Sequence, residues 1–253
     1  MEYNLSYEIA NRPTKNIYRD NNYTIKLFVE NYPASNILNE ALNQTRVEEA
    51  TDLSIPKLVE VTKINNRWAI VSEHIEGKNL ETIMNEEPDK FEEHLNRFVD
   101  IQLEILSKHV PLLNRMKEKY KRKINEETSL DPNTKYDLLQ RLEGMQYRAC
   151  LCHGDFQPSN IIIKDDGSYS IIDWAHVTQG NAASDVAMTF LIFSMNGKQD
   201  VANRYVDLYC QKANVNKREI QNWIPIVAAA IMSKSSEENK EFLRHWTNVV
   251  DYQ

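Results

Sequence analysis

The rhythm of apolar and polar residues changes along this chain, and the change divides it. Up to about residue 71 the short period dominates. In the run 23–29, Tyr23, Ile25, Leu27 and Val29 share one side, while Thr24, Lys26 and Phe28 share the other, which is the alternation of a β-strand. Residues 16–19 precede it, with Asp20-Asn21-Asn22 between, so the pair reads as a hairpin. Residues 58–62 and 68–72 form a second pair around Asn65-Asn66. Between the pairs, residues 33–50 carry apolar positions at helical intervals, with Ser35 placed to cap the helix. Glu40 lies on that apolar stripe, three residues after Ile37 and seven before Val47. A carboxylate there is costly unless it is paired.

The polar stretch Ser72-Glu73-His74-Ile75-Glu76-Gly77 reads as a linker. From Leu80 the period lengthens to that of helices. Phe91, Leu95, Phe98 and Ile105 mark one, residues 117–123 form a basic run expected to be a solvated helix face, and Asp131-Pro132 opens another that ends near Gly144. Further helices are expected from Ala182, over 201–212 and over 219–232. A strand at Cys150–Cys152 and one hairpin interrupt them. The hairpin's arms are 161–164 and 169–172, around Asp165-Asp166-Gly167-Ser168. Pairing Lys164 with Tyr169 puts Asn160 opposite Asp173, with Cβ atoms roughly 5 Å apart. An amide oxygen beside a carboxylate suits Mg²⁺. Pro158 is expected to keep the segment before Asn160 out of a helix, which leaves Asp155 on a loop.

Composition narrows the partners. The 253 residues suffice for a large domain or two lobes. The net charge of −7 argues against nucleic acid as a partner. No apolar run approaches the ~18 residues of a membrane span, and the start of the chain lacks a basic segment followed by an apolar one. The three cysteines have no metal-site spacing and read as buried residues in a reducing cytoplasm.

The chemistry concentrates at His153-Gly154-Asp155, with Asn160 five residues after Asp155, and at Ile172-Asp173-Trp174. This order and spacing resemble the aminoglycoside phosphotransferase and choline kinase family of protein-kinase-like small-molecule kinases. Trp174-Ala175 stands where protein kinases carry Phe-Gly. The resemblance implies an α+β, bilobal protein-kinase-like fold. Residues 1–76 would form a small antiparallel-sheet lobe with one helix, and residues 77–253 a larger, mainly helical lobe with the acceptor site. It implies ATP or GTP as donor in the cleft and Mg²⁺ held by Asn160 and Asp173. Asp155 would be the base, supported by His153 and Asp185. Lys26 would hold the phosphates, braced by Glu40, with Glu48 as the rival brace. Thr14, in the loop 11–15, would approach a phosphate, although that loop has no glycine. The Ser72 carbonyl and the His74 N–H would read the adenine edge. The acceptor would be an aminoglycoside, or a metabolic alcohol such as choline, homoserine or a sugar; a non-catalytic nucleotide-binding protein is the alternative. Monomer and homodimer both fit.

The acidic balance, with Glu76, Glu81, Glu86 and Glu87 after the linker, points to a cationic rather than an anionic acceptor. Trp223, Pro225, Trp246 and Tyr252 are candidates to line its site, and core packing is the competing account of them.

Overall fold

The computed structural model describes residues 3–248. In chain order the elements are β1 (Glu8–Arg12), β2 (Lys15–Asp20), β3 (Tyr23–Phe28), α1 (Ala34–Ala50), β4 (Leu58–Ile64), β5 (Arg67–Glu73), β6 (Lys78–Asn79) and α2 (Leu80–Glu86). There follow α3 (Phe91–Leu106), α4 (Met116–Glu126), α5 (Pro132–Gly144), β7 (Cys150–Cys152), β8 (Ile161–Ile163), β9 (Tyr169–Ile171), β10 (Thr178–Gly180), α6 (Ala182–Met195), α7 (Gln199–Ala213), α8 (Lys217–Met232) and α9 (Glu237–Trp246). The class is α+β, with an antiparallel sheet near the N-terminus and a mainly helical remainder, as the sequence predicts. Packing divides the chain into two compact units, Met1–Asp89 with Pro158–His176, and Lys90–Gln157 with Val177–Gln253.

The first unit is built on an antiparallel sheet in the order β1-β2-β3-β5-β4. Asn65 and Asn66 both take positive φ, 50° and 64°, in the two-residue turn that joins β4 to β5, a conformation asparagine tolerates. Each face of the sheet has its own core. Ile25 and Leu27 of β3 pack with Ala69 and Val71 of β5, and Tyr3 and Leu5 close over them. On the opposite face Phe28 and Ile70 pack with Ile37 and Ala41 of α1. The helix begins directly after Pro33, whose φ of −59° already fits a helix start. Ser35 therefore sits inside the first turn and is not the cap. A second, three-stranded sheet in the order β6-β8-β9 completes this unit.

The second unit is helical, with the short antiparallel pair β7–β10. Its centre is α6, buried on nearly every side from Ala183 to Ser194, as expected of a helix without a polar face. Asp131 caps α5 by accepting hydrogen bonds from the N–H groups of Asn133 and Thr134. Among the described residues, no helix is long and apolar enough to cross a membrane.

Candidate active site

Strand alternation turns Lys26 and Phe28 toward α1, while Ile25 and Leu27 face the other way. Glu40 is buried on α1 among Ile37, Ala41 and Val47. The Lys26 ammonium donates to Glu40 Oε1 at 2.6 Å and to Asp173 Oδ1 at 2.9 Å. Glu48, the rival brace, instead accepts the Leu58 N–H at 3.2 Å. Burial opposes the charge on Lys26, but the two carboxylates more than compensate and raise its pKa above the ordinary lysine value. Burial likewise opposes ionisation of Asp173. The Lys26 and Lys15 charges and the Lys26 hydrogen bond overcome it and hold the carboxyl well below the usual range.

Lys15, not anticipated from the sequence, stands 3.5 Å from both Glu40 Oε1 and Asp173 Oδ1. The signal that finds it is the β2–β3 register. Ile17 pairs with Lys26 and Lys15 with Phe28, so all four residues share one face.

The hairpin register corrects the expected one. Ile163 pairs with Tyr169 and Ile161 with Ile171, and the Ile172 N–H donates to the Asn160 carbonyl at 2.9 Å. The partner of Asn160 is thus Ile172, not Asp173. Lys164 pairs with Ser168, and the Gly167 N–H donates to the Lys164 carbonyl. Gly167 adopts φ +80°, which closes a three-residue loop where four residues were expected. Asp173 itself takes φ 65°, a costly left-handed conformation for a non-glycine residue that tends to mark functional positions. Pro158 is also corrected: it opens a single 3₁₀ turn, Pro158–Asn160, because a proline is compatible with a first turn. Asn160 is 7 % exposed. An amide and a deprotonated carboxylate are the hard oxygen donors Mg²⁺ takes. Two protein ligands suffice for an ion that keeps water and phosphate oxygens in its shell. Among the described residues, no group of three or more His, Cys, Asp or Glu is arranged to hold a metal.

Asp155 lies on the segment after β7. Gly154 holds φ 76° there, a value that favours glycine. Its N–H donates to Asp185 Oδ1 at 2.7 Å. The His153 N–H also bonds Asp185, and the Gln102 side-chain amide donates to Oδ2 at 3.3 Å. The Tyr205 hydroxyl donates in turn to Gln102 Oε1. Asp185 is 1 % exposed, and burial raises its carboxyl despite these bonds. Phe156 stacks on Phe98 with centroids 4.5 Å apart, and its carbonyl accepts from the Thr189 hydroxyl at 2.8 Å. The backbone on both sides of Asp155 is thereby fastened, and one Asp155 oxygen accepts the Gln157 side-chain amide at 2.9 Å. Gln102, Gln157, Thr189 and Tyr205 were not singled out by the sequence.

Other expectations fare differently. The His74 N–H donates to the Asn22 carbonyl at 2.7 Å, so it is not available to an adenine. Its ring Nδ1 pairs with the Thr24 hydroxyl at 2.8 Å, and Ser72 sits opposite Thr24 in the sheet. The expected loop 11–15 shrinks to the turn Pro13-Thr14, because Asn11, Arg12 and Lys15 belong to strands. Thr14 is exposed, and its carbonyl accepts the Val29 N–H at 3.0 Å.

In the second unit, Pro225 and Trp246 line a cavity of 270 Å³ with Phe190, Val206, Ile220 and Ile224. Trp223 is 3 % exposed and packs in the core, and Tyr252 lies outside the described residues. The basic run is not simply a solvated face. Burial, reinforced by Lys234, lowers the Lys119 pKa to about 8. Among the acids in and after the linker, Glu76 accepts from Arg19 and Glu86 from Lys78.

Residues 54–222 match the model of the phosphotransferase enzyme family. No curated protein matches the chain. The fold is that of several solved kinases at low identity. A thermostable mutant of aminoglycoside phosphotransferase APH(4)-Ia in its apo form aligns with 94 % of this chain and 89 % of its own, at 12 % identity and a TM-score of 0.68. A ternary complex of a thermostable APH(4)-Ia mutant with ADP and hygromycin B aligns over the same shares at 11 % identity and 0.68. Choline kinase LicA from Streptococcus pneumoniae aligns over 95 % and 91 %, at 14 % identity and 0.63.

Proposed function

The chain belongs to the phosphotransferase enzyme family, and from that premise we propose that it transfers the γ-phosphate of ATP to a hydroxyl group of a small molecule. The observation that carries this reading is the Lys26–Glu40–Asp173 cluster, a buried lysine fixed at 2.6 Å and 2.9 Å between two carboxylates. A purely structural strand has no use for so costly an arrangement. A phosphate site does, because phosphoryl transfer depends on positioning and on electrostatic stabilisation of a loose transition state.

In this reading Lys26 neutralises phosphate oxygens while Glu40 fixes its direction. Asn160 and Asp173 hold Mg²⁺, which when bound neutralises charge on the phosphates. Asp155 accepts the proton of the acceptor hydroxyl as it attacks phosphorus, and the oxygen bridging to the departing ADP takes the bonding pair. Asp185, with His153 and Gly154 as its donors, keeps the Asp155 backbone in place. The adenine edge cannot use the His74 N–H. The Glu73 N–H donates to the Lys57 carbonyl on the other side of β5, and β5 ends at Glu73, so in this reading backbone groups past the end of the strand take the place of the His74 N–H. GTP uses the same phosphate contacts, and donor choice rests on this edge.

Residues 1–76 and 77–253 act as nucleotide and acceptor lobes, a functional division drawn differently from the packing units. A cytoplasmic setting suits ATP and the free thiols Cys150, Cys152 and Cys210, and monomer or homodimer is equally compatible. The acceptor is a polyol or amino alcohol, as in the kinases for hygromycin B and choline. The preference for a cation rests on net charge, and the Arg19–Glu76 and Lys78–Glu86 pairs diminish it.

The test is turnover across a panel of aminoglycosides, amino alcohols and sugars, with mass spectrometry of products. Asp155→Asn should lower kcat on the identified acceptor by ~10²–10⁴-fold with nucleotide affinity nearly unchanged. A loss under about threefold removes Asp155 as the base.

A further inference from the structure

Two lysines, not one, converge on the carboxylates of the proposed phosphate site. Lys15 is the first residue of β2 and follows the turn Pro13-Thr14 directly. Its side chain is 12 % exposed. Its ammonium approaches the same two oxygen atoms that Lys26 bonds, Glu40 Oε1 and Asp173 Oδ1, but at 3.5 Å in each case. It also lies 5.8 Å from the Phe28 ring centroid, close enough for a cation–π attraction. The four groups sum to zero charge without any ligand.

The two lysines are held differently. Lys26 makes two short bonds, whereas Lys15 sits at the limit of hydrogen-bonding distance from both partners. Lys15 is thus the cation more readily withdrawn from the cluster. The turn beside it also lacks the usual means of holding phosphate. It has no glycine, and Pro13 has no N–H to offer. Of its two residues only Thr14 carries a backbone amide N–H, too few for a cradle of successive N–H groups. Positive charge at this end of the sheet has to come from a side chain.

We propose that Lys15 is a second phosphate-binding lysine of this enzyme, taking the place of a glycine-rich loop. The inference rests on the nucleotide reading above. With the Asp173 charge taken up by a divalent cation, Lys15 would turn from Asp173 to a phosphate oxygen of the nucleotide, and Lys26 would remain against Glu40. Each half of the cluster then keeps one positive partner, and no buried charge is stranded.

The test is calorimetric titration of the full chain, without acceptor, using ADP, Mg-ATP and adenosine as ligands. Lys15→Met keeps the stem over Phe28 and removes the charge; Lys15→Gln serves where the Met variant does not fold; Lys15→Arg is the conservative control. The expected result is a ~10- to 100-fold weaker affinity for ADP and Mg-ATP in the Met or Gln variant. Adenosine binding should stay within about twofold, and Lys15→Arg should recover most of the loss. ADP and Mg-ATP affinities within about threefold of wild type overturn the role of Lys15. So does a parallel fall for adenosine, which identifies a structural member of the ion-pair cluster. A wild-type chain that binds no nucleotide overturns the nucleotide reading together with this inference; normal wild-type binding with an unaffected variant overturns this inference alone.

Discussion

Two aspartates, one in each packing unit, face burial with opposite outcomes. Asp173 keeps 29 % of its side chain exposed and has two lysines for company. Its carboxyl is held well below the usual carboxylate range and stays ionised. Asp185 is 1 % exposed and is met chiefly by backbone N–H groups and an amide. Those dipoles do not fully repay desolvation, and its carboxyl rises. A point charge compensates a buried carboxylate; a few dipoles give it direction. The first environment suits exchange of one cation for another. The second suits a fixed scaffold under a loop.

Removing the charge of Asp173 is the severest way to test that contrast. Asp173→Ala should weaken Mg-ATP binding by on the order of 10²-fold or more, and more than Asn160→Ala, since a carboxylate brings full charge and an amide only a dipole. Calorimetry on both variants decides the order, and equal losses contradict it. Asp185→Ala should act on stability instead. It leaves the Gly154 N–H and the Gln102 amide without their acceptor, a loss of roughly 1–3 kcal/mol, read as a lower denaturant midpoint. Asp185→Asn, which retains an acceptor oxygen, should lose less.

The smallest effect is in acid, and its sign differs between the two. A lowered carboxyl such as Asp173 contributes stability that is complete above its unfolded pKa of about 4. That contribution is lost as pH falls from there toward the folded value. A raised carboxyl such as Asp185 burdens the folded state while ionised, and the burden lifts as pH falls through its folded pKa. In urea titrations between pH 2.5 and 7, Asp173→Asn should flatten the acid-side decline and Asp185→Asn should steepen it. Each changes the slope by up to ~1.4 kcal/mol per pH unit. Slope changes of the same sign in both variants would erase the distinction.

What the sequence disclosed follows the range over which each feature is encoded. The pairing of Lys26 with Glu40 was legible because a strand alternates and a helix repeats. The hairpin register was missed by one residue, since Asp165-Asp166-Gly167-Ser168 serves a four-residue loop as well as the three-residue loop that Gly167 closes. That the His74 N–H is taken up by Asn22 was not legible, because sidedness along β5 depends on its partners, Asn22 and Lys57, rather than on its own residues. Lys15 carried no signal without the β2–β3 register. The Asp185 network joins Gln102 to Asp185 across 83 positions and Tyr205 to Gln102 across 103. No local pattern reports such pairings.

The first unit is discontinuous: it takes β8 and β9 from the stretch Pro158–His176. During synthesis it therefore cannot close until residue 176 has left the ribosome. Residues 90–157 emerge before that, while their own partners in α6 to α9 are still to be made. Both halves wait with apolar surfaces uncovered, the condition under which nascent chains recruit chaperones. The same interleaving rules out a simple cut between the halves. Fragments divided near residue 157 would each lack part of both units, and reconstitution from two pieces would have to exchange segments across the break.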